Sequence, residues 1–276
     1  MTFLITLISF VIERFFHWGQ RRHWRWFANY QLWLNTRIGS WPSALAIIVT
    51  VLPLVLLVGL VDYFLSGWLY NVLSLIFGVL ILVYCMGPAN VWVQAYGCIS
   101  ELNKDDPKLA FERAHAAFGV ESPVDSQAFH QSLVKAMFIE AYQRVFSVLF
   151  WFVLLGPMGA VLYRLVALMS ASAELSLASM AAKVQQVLDW VPARLFSFIF
   201  ALGGHFNDVF VCWKKNVLKG LNSSHALLAE CGVAALDILE RGRMPEDGAA
   251  EKETVALLDR VFVMALVILA ATVLLV

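Results

Sequence analysis

From Ala44 to Phe64 the chain reads ALAIIVTVLPLVLLVGLVDYF, an apolar run broken by a single charge, Asp62. A helix that crosses the hydrocarbon of a bilayer needs about 20 mostly apolar residues, and within lipid every backbone N–H and C=O must find its partner inside the protein. This run therefore restricts the chain to helical membrane architectures. Three further windows approach the same standard: Leu69 to Pro88, Phe146 to Met169 and Val261 to Val276. Two segments are irregular. Residues 2–16 are interrupted by Glu13 and Arg14, and residues 191–202 are short, continuing an amphipathic stretch that begins near Ala173 with a proline at the join. The expected fold is all-α: a polytopic helical membrane protein with four transmembrane helices near 44–64, 69–88, 146–169 and 261–276. The irregular segments 2–16 and 191–202 and amphipathic cytoplasmic helices in the blocks 92–144 and 207–260 complete a single domain over 1–276. Composition agrees, with 61% apolar and 14% charged residues and a mean hydropathy of +0.74, against about 45–50% and about 25% for soluble domains.

Lys and Arg flanking short segments mark the cytoplasmic side. Arg14, Arg21, Arg22, Arg25 and Arg37 lie between the first two apolar runs, mixed with Trp18, Trp24, Trp26, Trp33 and Trp41. That mixture suits a headgroup interface, with rings at headgroup depth and arginines toward phosphates. The connection Asp62 to Asn71 has no Lys or Arg and is read as an outer turn, which returns the blocks 92–144 and 207–260 to the inside. Lys plus Arg and Asp plus Glu both total 20, so whole-chain charge offers no basis for a nucleic-acid partner. The start of the chain has no positive region before its apolar run and is read as part of the mature fold.

Local signals place several elements. Pro107 is a helix start with Asp105 or Asp106 as its cap, and Asp125 or Ser126 caps a second helix that runs into the third span. Pro157, beside Gly156 and Gly159, removes the hydrogen bond to Val153 and predicts a kink or break halfway along that span. RGRMPEDGAAEKET is the most loop-like stretch and is expected to be mobile.

No standard nucleotide motif, nucleophile motif or metal-ligand spacing occurs. The cysteines Cys85, Cys98, Cys212 and Cys231 are too scattered for a zinc site and are read as free thiols. Neither a metal nor a cofactor is expected, and catalytic residues are left unassigned. The informative residues are ionisable groups in or beside hydrocarbon, which cost about 2.5 to 3.5 kcal/mol each at mid-depth. They are Glu13, Arg14, Glu140, Arg144, Arg164, Asp189 and Arg194, with His205 after the glycine pair at the end of the fifth segment. Glu140 and Arg144 have the i, i+4 spacing of a helical pair. His205 is read as a cap or interface residue. Two principal readings of the set stand: these groups stitch helices together, or they line a cytoplasm-facing polar pocket for an anionic small ligand. A transmembrane ion path has too few mid-span carboxylates to be favoured.

Within VLDWVPARL two readings also stand. Pro192 opens a helix with Asp189 at its positive end, or the helix from Ala173 continues through it and bends.

The order of ERFFHWG, a hairpin of two spans, LFWFVLLGPMGAVLYR, VLDWVPARL and ALGGH resembles the AmpE family over essentially the full chain. That resemblance implies an inner-membrane regulatory signalling protein of β-lactamase induction and cell-wall recycling, with the bilayer, an unidentified small ligand and a regulatory protein as partners. The family is similar in turn to the CobD/CbiB membrane proteins of cobalamin synthesis, which share the PARL element and form an amide with ATP. Here IEAYQRVFSVLFW keeps Glu140 but lacks the Asp-Gly pair of that pattern, and YRLVALMS lacks its Asn-Thr pair. The resemblance thus implies a diverged, non-catalytic relative; ATP and Mg enter only under the alternative of a cobalamin-type ligase.

Overall fold

A computed structural model describes residues 2–15, 24–38, 41–66, 72–87, 90–102, 107–120, 126–172, 177–236 and 248–275. Among them every regular element is helical. Three helices are long and apolar enough to cross a membrane, Ser43–Leu65, Ser126–Leu155 and Ala249–Ala271, and shorter apolar helices occupy Thr2–Glu13, Val72–Cys85 and Pro157–Ser170. The chain divides into two compact units, each assembled from two separate stretches.

The first unit comprises Met1–Asn90 and Arg144–Asp189. Its helices are α1 (Thr2–Phe15), α2 (Arg25–Ile38), α3 (Ser43–Leu65) and α4 (Val72–Cys85). From the second stretch come α8 (Ser147–Leu155), α9 (Pro157–Ser170) and the first half of α10 (Ala178–Gly203). α3 packs on α9, and α1 on α4. Glycine permits both approaches. A Cβ on Gly59 would lie 2.0 Å from Met158 Sδ, and one on Gly78 would lie 2.9 Å from Ile5 Cδ1. Small residues do this between helices in lipid, where packing replaces a hydrophobic driving force. Leu52, Leu56 and Leu60 of α3 stay outward, as a lipid-facing surface requires.

The second unit comprises Val91–Gln143 and Trp190–Val276. It holds α5 (Val91–Leu102), α6 (Pro107–Phe118), α7 (Ser126–Ala141), α11 (Phe206–Asn216), α12 (Ser224–Ala234) and α13 (Ala249–Leu275), with the second half of α10. α7 is the hub, contacting α5, α6, α12 and α13. Its Phe138 lies against Gly232, where an added Cβ would come within 2.6 Å of the ring.

Several boundaries differ from the sequence reading for physical reasons. The apolar run 146–169 is not one helix. α7 passes through a π-helical turn, Tyr142–Phe146, into α8, so the long helix reaches from Ser126 to Leu155. It ends at Gly156, which takes φ 66°, ψ −153°, and Pro157 opens α9 at its first turn. Proline has no N–H to lose there, so the predicted disturbance is a complete break. α4 covers 14 residues, about 21 Å at 1.5 Å per residue, shorter than the apolar window 69–88; residues 69–71 and 88 lie outside the described residues. α10 runs unbroken through Pro192 for 26 residues, about 39 Å, which supports the second reading of VLDWVPARL. α13 begins at Ala249, so the end of the loop-like stretch is helical. Its residues Ala249–Glu253 are good helix formers once Gly248 is passed. The rest of that stretch up to 247, with Asp105, Asp106 and Asp125, lies outside the described residues.

Candidate functional site

α1 is a helix turned inside out. Leu4, Leu7, Ile8 and Val11 are exposed, whereas Thr6, Ser9 and Glu13 are buried. Positions i, i+3 and i+7 share a helix face, so the polar face of α1 points into the first unit and its apolar face outward. A soluble helix would do the reverse. Glu13 interrupts the apolar run because it lies on that inner face, 3% exposed. Its backbone oxygen accepts a hydrogen bond from Asn90 Nδ2. Arg14 belongs to α1, but its side chain lies outside the described residues.

The same unit buries a second polar group between α9 and α10. Tyr163 Oη donates to Asp189 Oδ1 at 2.8 Å, and Ser170 Oγ donates to Gln185 Oε1. Tyr163 and Ser170 stand two turns apart on α9, and Gln185 and Asp189 one turn apart on α10, so both pairs close across one antiparallel seam. Tyr163 and Asp189 are at most 1% exposed. Arg164, 8% exposed, is the neighbour of Tyr163 and points about 100° round the helix. Its guanidinium lies against Gly87: a Cβ there would be 2.7 Å from Nη2, and Gly87 takes φ 102°. Gly87 thus lies against Arg164 and Asn90 bonds to Glu13, and Glu13, Asn90, Arg164, Tyr163, Asp189 and Gln185 are each buried in the first unit.

Arg194 belongs to the second unit and does different work. Nε donates to Val217 O at 2.6 Å, Nη2 to Lys219 O at 2.7 Å and Nη1 to Trp190 O at 2.8 Å. Its guanidinium sits 4.2 Å from the Trp190 ring centroid, and its own carbonyl accepts from Trp213 Nε1 at 3.0 Å. The carbonyls at the end of a helix have no intrahelical partner; Arg194 supplies one to Val217 and Lys219 just beyond α11.

Glu140 closes α7 in the second unit, while Arg144 lies in the π turn within the first unit; both are half-buried. The π turn Tyr142–Phe146 begins between them. His205 takes the N-cap position of α11 with no side-chain capping bond, and its N–H donates to Ala235 O at 3.3 Å. Gly204 makes this approach possible, because a Cβ on it would lie 2.3 Å from the same oxygen.

The sequence reading missed a buried polar set in the second unit. His130 Nδ1 lies 2.7 Å from Glu251 Oε1, both at most 2% exposed. Arg113 pairs with the buried Glu101 at 3.1 Å, and Trp92 Nε1 donates to Asp259 at 2.7 Å. Burial pushes the Cys98 thiol up to about 11, with Arg113 opposing the shift and Glu251 adding to it. His130 and Glu251 are 121 residues apart, so no local motif could have announced them. The α9–α10 seam was more accessible: Gln185 and Asp189 already have helical i, i+4 spacing, and Tyr163 sits beside Arg164.

The model of one family, "Regulatory signalling modulator protein AmpE", matches residues 1–275. The chain belongs to the AmpE family. Protein AmpE of Shigella flexneri is 24% identical over 225 residues, covering 77% of this chain and 78% of that protein. Two proteins named cobalamin biosynthesis protein CobD are also similar. That of Chromobacterium violaceum is 26% identical over 173 residues, 60% of this chain and 55% of its own length. That of Stutzerimonas stutzeri is 25% identical over 218 residues, 76% and 68%. The matched part of this AmpE-family chain thus spans little more than half of the Chromobacterium protein. No solved structure matches it. Membership makes the chain a membrane protein of a regulatory signalling family, in keeping with its long apolar helices.

Proposed function

We propose that this protein is a multi-pass inner-membrane regulator of β-lactamase induction, tied to peptidoglycan recycling, and that the polar interior of its first unit is a ligand pocket retained from an enzyme-like ancestor. The observation that carries the pocket is Asp189: a carboxylate 1% exposed, held by the Tyr163 hydroxyl at 2.8 Å inside apolar helices. Buried ionisable groups at membrane depth are costly and mark functional positions by default. Arg164 in the same interior supplies a cation for an anionic small ligand, and a regulatory protein partner would read the occupied state. The AmpE family match supports the regulatory half of this reading.

The test is replacement of the chromosomal gene by an Asp189→Asn variant, with a deletion as reference, followed by β-lactamase activity before and after exposure to a β-lactam. Altered induction at normal protein level is expected. Unchanged induction in both strains removes the regulatory role.

A second reading, an ATP-dependent amide-forming enzyme of cobalamin synthesis, rests on the CobD relatives. Mg²⁺ with a nucleotide needs only one or two carboxylates beside the phosphates, and no reaction step is derived for this reading. Purified protein supplied with ATP, Mg²⁺, a corrinoid acid and an amino alcohol decides it; product formation would replace the regulatory reading.

A further inference from the structure

The polar block 207–260 opens with a helix whose outer surface is wrong for water. On α11, Phe206, Phe210 and Val211 are 48%, 39% and 67% exposed. The rings of Phe206, Phe210 and Trp213 stack in a ladder with centroids 5.7 and 6.3 Å apart. Beyond the helix, Leu218 is 89% exposed, the most exposed large apolar side chain among the described residues, and Leu221 is 44% exposed.

A frayed turn would throw a leucine out by accident, but this turn is held. The carbonyls on either side of Leu218, those of Val217 and Lys219, are the two that Arg194 grips at 2.6 and 2.7 Å. The leucine is therefore presented by a buried guanidinium. The charge of the surface is equally one-sided. Lys214 and Lys215 are exposed on the last turn of α11, and Lys219 is exposed next to Leu218. Nearby Glu230 accepts from Asn216 Nδ2 at 2.9 Å, and Asp208 lies at the opposite end of the helix. The surface also continues an apolar one: Val191, Leu195 and Leu202 form the outward stripe of the second half of α10, which leads into α11 through Gly203 and Gly204.

We propose that α11 and the turn 217–221 form a membrane-docking element, seated in the headgroup layer of an anionic bilayer. Phe206, Phe210, Val211 and Leu218 enter the acyl boundary while Lys214, Lys215 and Lys219 reach lipid phosphates. A basic amphipathic helix that exposes aromatic and leucine side chains binds in this way, and lysines near the surface add attraction to anionic leaflets. Lysine stems also bury along apolar surface while their heads stay wet. Arg194, read from the sequence as a pocket residue, becomes the positioning residue of this element. The inference stands independently of the proposed regulatory role.

The experiment uses the full chain in lipid nanodiscs, with a nitroxide at Leu218→Cys in a Cys212→Ser background, the other three cysteines being buried. Collision rates with oxygen and with a water-soluble nickel chelate are compared with those of a label at exposed Lys108 on α6, outside the apolar helices. The expected oxygen-to-nickel ratio at position 218 is several-fold above that at 108, and rises further when phosphatidylglycerol is added to phosphatidylcholine. Replacing Lys214, Lys215 and Lys219 together by Gln should abolish that rise. A water-like ratio at 218 overturns the docking, as does protection from both reagents, which means that protein covers the face. A ratio indifferent to phosphatidylglycerol overturns the anionic specificity.

Discussion

Asp189 and Arg194 stand five positions apart on α10, and the two ends of that short interval are built on opposite principles. Asp189 is held by side chains: Tyr163 donates to it, and Gln185, one turn earlier, pairs with Ser170. Arg194 is held mainly by backbone, with donors on the carbonyls of Val217, Lys219 and Trp190 and one longer bond to Ser224 Oγ at 3.5 Å. Side-chain partners can re-sort around a ligand by changing rotamer. Carbonyls of a turn cannot move without unfolding it. A buried charge among side chains is thus a candidate for binding, and one spent on backbone is a structural clamp, although the sequence presents the two alike.

The contrast breaks most visibly at Arg194. Arg194→Ala removes the side-chain donor from the carbonyls of Val217 and Lys219, and at about 1.5–3 kcal/mol for each hydrogen bond to a charged group the loss is roughly 3 kcal/mol, read as a lowered Tm in detergent. Arg194→Lys should recover only part, because one ammonium lacks the planar fork of a guanidinium. An unchanged Tm in Arg194→Ala would erase the distinction.

Two glycines sharpen the comparison at intermediate size. Gly204→Ala in the second unit drives a Cβ into Ala235 O at 2.3 Å, a backbone atom that cannot yield, and overpacking of this kind costs about 1–3 kcal/mol. Gly87→Ala in the first unit meets the tip of Arg164 at 2.7 Å and forces alanine to φ 102°; the guanidinium can swing aside, so the main cost is the backbone strain, about 1–2 kcal/mol. Denaturation midpoints of the two variants check this order.

Asp189→Asn should be milder for stability. The amide oxygen still accepts from Tyr163, so the change should stay within about 1 kcal/mol, while β-lactamase induction changes. A variant that melts early would move Asp189 into the same class as Arg194.

The smallest effect is a pH dependence at Cys98. Its folded value of about 11 lies above the ordinary 9.0 because burial disfavours the thiolate. A raised value means that the contribution is fully present below pH 9 and declines as pH rises toward 11. Alkylation at pH 8 should accordingly be slow at Cys98, which is 1% exposed, and faster at the half-exposed Cys212; mass spectrometry of the alkylated chain reads both. Rapid alkylation at Cys98 would show that α5 opens readily.

Parts of this architecture were legible in advance because they are local. The apolar run over α3, the Pro107 start of α6 and the interruption at Pro157 each follow from residues within one or two turns of each other. Pro157 also shows the limit: the sequence left kink and break open, and the left-handed Gly156 decided for a break. α13 began earlier than its apolar window because helix propensity and a buried Glu251 extend it into the charged stretch. Of the site residues, Glu13, Arg164 and Asp189 are each buried in the first unit, and the cost of a charge in hydrocarbon is what made them visible. Arg194 was visible for the same reason, but its use was not.

By itself the sequence determined a helical membrane protein and the ionisable residues worth asking about, because hydrocarbon length and the expense of charge are written in single residues and short windows. Only the tertiary structure decided which of those charges share an interior, that α1 faces inward with its polar side, that His130 meets Glu251, and that Arg194 grips the turn beyond α11. Those outcomes depend on which distant segments approach, and a buried donor takes whichever acceptor the fold brings within about 3 Å.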